Sequence, residues 1–211
     1  MNRGVDKRQI FYDDHERARF LHNMFEFNDT KPAQEYDRRH VGPTRSHIRE
    51  REKLVDIHGW CLMGNHYHLL LSERMEGGVT LFLMKLNVGY AKFFNEKYER
   101  SGTLFQGRTK KVLIDHDAHF LYILHYIHLN PLDLLKETAN WRTQELKSVS
   151  GALRHLEEYK WSSFKDYCGI KNFPSVLSKD LFGDIFKNYR QAMRSYLKDI
   201  ADLDATLMLE N

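Results

Sequence analysis

Apolar positions recur at two different periods along the chain, and the switches between them outline its elements. From residue 14 to 27, Phe20, Leu21, Met24 and Phe27 fall three or four apart, the spacing of one helix face. Asp13 followed by Glu16 reads as a capping box that opens this helix. Periodicity then disappears over 28–53, a polar and charge-rich insert. Residues 57–63 and 66–72 are two short apolar runs around Gly64-Asn65, the pattern of a β-hairpin. Gly77-Gly78 predicts a loop, and Thr80 a cap for a long amphipathic helix whose buried stripe is Phe82, Leu86, Tyr90, Phe93 and Phe94. That helix should stop near Ser101-Gly102. Residues 109–115 read as a strand, and Asp117 as the cap of a helix running through Leu121, Leu124 and Ile127 to Asn130-Pro131. The remainder, 137–211, predicts mainly helix with a turn at Trp161-Ser-Ser-Phe164. Helix, hairpin, helix, strand, helix is the order of an α+β layer, not of a helical bundle.

Composition narrows this only a little. Of 211 residues 42% are hydrophobic and 13% aromatic, enough to pack a core and to exclude wholesale disorder. The formal charge of +3 permits a polyanionic partner without requiring one, so the distribution of charge matters more than its sum. In the insert, Lys31, Arg38, Arg39, Arg45, Arg49, Arg51 and Lys53 exceed the five acidic residues by two, which suits a solvated loop or a nucleic-acid-contacting arm. The two cysteines, Cys61 and Cys168, form no CxxC pattern, so neither a disulfide framework nor a cysteine-rich zinc site is expected. No stretch reads as a signal peptide or a bilayer span, and the expected location is cytoplasmic.

Two features carry chemistry. His66-Tyr67-His68 lies in the second apolar run, and residues two apart on a strand face the same way. The two imidazoles would stand side by side as structural groups or as half of a metal site. In the helix that follows, Tyr122, Tyr126 and Asn130 fall on one stripe, each about one turn from the next. A phenol and an amide oxygen on one stripe belong either to a packed core or to a site that attacks a phosphate. A phenol with a pKa near 10 makes a phosphodiester nucleophile only where charge in the transition state is neutralised, as by a divalent ion.

Taken together, the residues resemble a known family. The run Trp60-Cys-Leu-Met-Gly-Asn-His-Tyr-His-Leu-Leu-Leu71 is similar to the signature strand of the HUH single-tyrosine transposases, REP-associated branch. The segments at 101–111, Tyr126-Ile-His-Leu-Asn-Pro131 and Trp161-Ser-Ser-Phe164 resemble further family segments in the same order. The match covers residues 2 to about 169. It implies a ferredoxin-like antiparallel sheet with helices on one face, a catalytic domain over 1–136 and a mainly helical C-terminal extension over 137–211. The implied activity is a single-stranded DNA endonuclease and strand transferase acting on hairpin-marked DNA. His66, His68 and Asn130 would hold Mg²⁺ or Mn²⁺, and Tyr126 would be the nucleophile, leaving a 5′-phosphotyrosyl link. Arg108, Lys110 and Lys111 fall in a region that lies near DNA in the family, and they are candidate phosphate contacts. Both monomers and homodimers occur among such proteins.

Relatives carry a hydrophobic strand ahead of the Asn2-Arg3-Gly4 segment. Here either that strand lies upstream, or 5–11 replaces it, or activity has been lost. Tyr122 is the competing nucleophile. His128, about 200° around the helix from Tyr126, reads as a core or polar-contact histidine. His58, His116 and His119 read as surface groups or as outer partners of a metal site. Two rival functions stand beside the transferase: a DNA-binding module of the same fold without turnover, and a phosphodiesterase that activates water.

Overall fold

A computed structural model of the chain describes residues 1–32, 51–138, 140–143 and 146–209, and most of the charged insert lies outside them. The chain divides into two units. One comprises Met1–His58, Leu62–Leu113 and Ser175–Ser178; the other comprises Gly59–Cys61, Ile114–Pro174 and Lys179–Asn211.

The first unit contains the sheet. Its strands among the described residues are β1 (Asn2–Arg3), β2 (Val55–Leu62) and β3 (His66–Glu73), in the order β1-β3-β2. β2 and β3 are the predicted hairpin, each a little longer than the apolar run that announced it. Helix α1 (Asp14–Glu26) is capped as its sequence requires: the Asp13 side chain accepts from the Glu16 N–H at 2.8 Å. Glu16 reaches back to the N–H of Tyr12, one residue earlier than in the usual reciprocal box. Helix α2 (Gly78–Lys97) begins two residues before the predicted Thr80 cap. Gly77 turns the chain at φ 72°, which a residue without Cβ adopts at little cost, and Glu73 accepts from the Val79 N–H. Thr80 instead accepts from Lys111 Nζ. Phe11, Phe20, Tyr67, Phe82, Tyr90 and Phe94 are buried, and the Phe20 ring lies 4.9 Å from Tyr67 and 5.0 Å from Tyr90. Both helices thus pack on the face of β3 that carries Tyr67.

One expectation fails here, and one of the alternatives is closed. Residues 109–115 are not a strand; Val112 and Leu113 are 76% and 83% exposed. A strand needs a partner edge, and β1 is only two residues long. The chain around β1 pairs instead with residues 104–106, through Val5–Leu104, the Gly4–Phe105 bridge and Gln106–Arg3, and meets 109–115 through the two Met1–Lys110 bonds. Nor do residues 5–11 form a strand. Val5–Lys7 is a 3-10 turn, Ile10 and Phe11 donate to the Gly64 carbonyl, and the strand beside β3 is Asn2–Arg3.

The second unit holds α3 (Asp117–Leu129), followed by a 3-10 turn over Asn130–Leu134. Its N-cap is His116, with no side-chain capping bond, in place of the predicted Asp117 cap. The α-helix ends just before Asn130-Pro131, as expected, and Pro131 occupies the first turn of the 3-10 segment that follows, where its missing N–H has no helical partner to lose. Further helices cover Val149–Glu158, Phe164–Tyr167, Asp180–Gly183 and Tyr189–Leu209. Trp161-Ser-Ser-Phe164 docks on the residues of β2 assigned to this unit: Cys61 bridges Ser162, and Trp60 exchanges bonds with Ser163. No helix among the described residues is long and apolar enough to cross a membrane.

Candidate functional site

The strand geometry separates the HYH triplet cleanly. Tyr67 is fully buried and donates to Asn87 Oδ1 at 2.7 Å; burial pushes its phenol well above the ordinary range. His66 and His68 are half-buried on the opposite face, their ring centroids 5.1 Å apart and their planes at 78°. Asn65 fixes the first ring. Its Nδ2 donates to the Lys7 carbonyl at 3.1 Å, so its Oδ1 is the atom facing His66 Nδ1 at 2.6 Å. An amide oxygen only accepts, which puts the imidazole proton on Nδ1 and the lone pair on Nε2. Metal-binding histidines are commonly held this way, and the arrangement fits the nitrogen half of a divalent-ion site. Among the described residues no three His, Cys, Asp or Glu side chains group to hold an ion, so oxygen donors of another kind would have to complete it.

The loop that clamps Asn65 is under strain. Asp6 and Lys7 both take positive φ, 53° and 57°, unusual for residues with a Cβ. Gly4 makes the loop possible: a Cβ there would lie 2.4 Å from the Arg8 carbonyl oxygen and 2.8 Å from Ile10. β1 then pairs with β3 so that Asn2 opposes Tyr67 and Arg3 opposes His66. Opposed residues share a face, so Arg3 stands with the imidazoles while Asn2 turns into the core and donates to Thr109. Asn87 also donates to Thr109 and accepts from Tyr67, which anchors the basic stretch to the same unit. Arg108, Lys110 and Lys111 are exposed along it.

In the second unit, Tyr126 is half-buried on α3 with Tyr122 at 5.9 Å and Trp141 at 6.0 Å between ring centroids. Burial raises the Tyr122 phenol, as does the Tyr126 phenol in part, which disfavours Tyr122 as an attacking phenolate. Asn130 is fully buried. Its Nδ2 donates to the carbonyls of Tyr126 and Ile127, closing the helix end, and its Oδ1 accepts from Arg142 Nη2 at 2.9 Å. Arg142 also bonds Asp133 and lies over the Trp141 ring. The amide predicted as a ligand is therefore already bonded at both ends.

His128 and His58 have structural partners. His128 is fully buried between Tyr189 OH at 2.8 Å and Ser163 Oγ at 2.7 Å. His58 is not a surface group; it is buried, with Ser72 Oγ and the Ser178 carbonyl at its two nitrogens. His116 is exposed beside Asp115. Sequence reasoning missed Asn65, Arg3 and Arg142. Asn65 was legible as a turn residue, but its bond to His66 was not. Arg3 acts through a strand pairing between distant parts of the chain, and Arg142 through bonds back across a turn to Asn130 and Asp133, and no periodicity announces either. Compared with known proteins, the chain matches no family model, no curated protein and no solved structure. Fold and site together define an α+β protein with an oriented imidazole pair in one unit and a tyrosine–amide–guanidinium cluster in the other.

Proposed function

We propose that the protein is a metal-dependent single-tyrosine DNA strand transferase of the HUH type, with a ferredoxin-like catalytic domain over 1–136 and a helical extension over 137–211. The observation that carries this reading is the imidazole pair of β3, with His66 held by Asn65 in the tautomer that carries its lone pair on Nε2. A bound Mg²⁺ or Mn²⁺ would neutralise charge on a non-bridging phosphate oxygen and orient the group for in-line displacement. The chain supplies the rest. His66, His68 and Asn130 would be the residues that hold the ion. Tyr126 Oη attacks phosphorus, the bond to the 3′-oxygen breaks, and the proton lost by the phenol is balanced by one gained at the new 3′-hydroxyl. The 5′-phosphotyrosyl bond stores the energy of the broken diester for rejoining.

A second reading, DNA binding without turnover, is favoured by one observation: Asn130 Oδ1 is committed to Arg142. One experiment separates the two. Single-stranded hairpin DNA is incubated with the protein and Mn²⁺, and a denaturation-resistant adduct is sought. The transferase reading expects an adduct whose mass maps to Tyr126 and its loss in Tyr126→Phe. Nicking that survives this substitution would assign the chemistry to activated water, and binding with neither product would leave the passive module.

A further inference from the structure

We propose that Arg3, His66 and His68 form one site at which a phosphodiester of single-stranded DNA and a divalent cation bind cooperatively, each weakly without the other. The inference rests on the metal role of the histidine pair in the reading above and adds a coupling to it. Its basis is the β1–β3 register. Arg3 opposes His66 directly, which sets their Cβ atoms about 5 Å apart on the face opposite the buried Tyr67. Arg3 is half-buried, its Nε is buried without a hydrogen-bond partner, and no carboxylate among the described residues pairs with it. Neighbouring Arg8 shares both properties, with a half-buried side chain and a partnerless Nε.

A guanidinium stays charged at any pH the folded protein meets. Placed beside two imidazoles, it repels a dication that those imidazoles would otherwise hold, and two nitrogen donors alone bind such ions weakly. An oxyanion reverses both effects. It offers oxygens to the cation and accepts the fork of Arg3 in charge-assisted hydrogen bonds. The anion would thus offset the repulsion and supply oxygen ligands to the cation in one step. Linkage then requires that the cation strengthen anion binding by the same factor.

The test is a calorimetric titration of the whole protein with Mn²⁺ alone, with inorganic phosphate present, and with a single-stranded oligonucleotide present. We expect the oligonucleotide to raise Mn²⁺ affinity about ten-fold or more, and Mn²⁺ to raise oligonucleotide affinity equally. Arg3→Gln should lose most of this coupling while binding Mn²⁺ alone no more weakly. Arg3→Lys, which keeps the charge and loses the fork, should retain part of it and serves if the glutamine variant does not fold. His66→Ala should abolish Mn²⁺ binding at this site. Equal Mn²⁺ affinity with and without either anion overturns the proposal, as does full coupling in Arg3→Gln. Coupling to free phosphate without coupling to the oligonucleotide overturns DNA as the anion's source. None of these readouts needs the Tyr126 adduct, so coupling without an adduct would remove the transferase and leave this site standing.

Discussion

Asn65 is the residue on which the imidazole pair depends most directly. It holds Lys7 through one end of its amide and His66 through the other, so it ties the strained loop to the ring that would meet the ion. Asn65→Ala removes both bonds and frees the His66 ring to change tautomer. The expected result is a loss of Mn²⁺ affinity of about ten- to a hundred-fold, the usual cost of removing a group that orients a ligand. Calorimetry in the presence of oligonucleotide measures it, and an unchanged affinity would detach Asn65 from the site. The alternation that put His66 and His68 on one face was legible from the sequence, because a strand's two-residue period is a local property. The orientation of the rings was not, since it depends on a loop that begins some sixty positions earlier in the chain.

At the scale of elements, α3 is fastened through His128, whose two ring nitrogens meet Ser163 and Tyr189 from different helical segments. Burial, and then neighbouring His125, hold the His128 imidazole well below its ordinary value of 6.5. The unfolded chain takes up a proton on this group below about pH 6.5, and the folded chain refuses it. The unfolded state then binds more protons, so stability falls as pH drops and is flat with respect to this group above that value. Urea unfolding midpoints at about pH 7.5 and about pH 5 should differ, and His128→Gln should be less stable at the higher pH but lose less on acidification. An undiminished pH dependence in the variant would assign the effect to other groups. The helices themselves were well announced. Their apolar stripes and the Asp13 cap are written in neighbouring residues, whereas the failed strand at 109–115 had the right composition and lacked an edge to pair with.

For the whole molecule, charge placement says more than the net +3. Arg108, Lys110 and Lys111 are exposed in the unit that carries the imidazole pair. If they contact phosphates, replacing all three with alanine should weaken oligonucleotide binding regardless of base sequence. It should also flatten the dependence of log affinity on log salt by about 2, from roughly 0.7 per phosphate contact on a single strand. A parallel salt slope in wild type and triple variant would make them plain solvated charges. The sequence by itself determined the α+β order, the hairpin, the shared face of His66 and His68, and the stripe of Tyr122, Tyr126 and Asn130, because each follows from the period of a single element. Only the tertiary structure decided that Arg3 opposes His66, that Asn130 is held by Arg142, that His58 is buried, and which hydroxyls the core histidine His128 meets. Those relations join separate elements and turns, and they are set by which edges and faces find partners when the whole chain packs, a choice that local periodicity does not record.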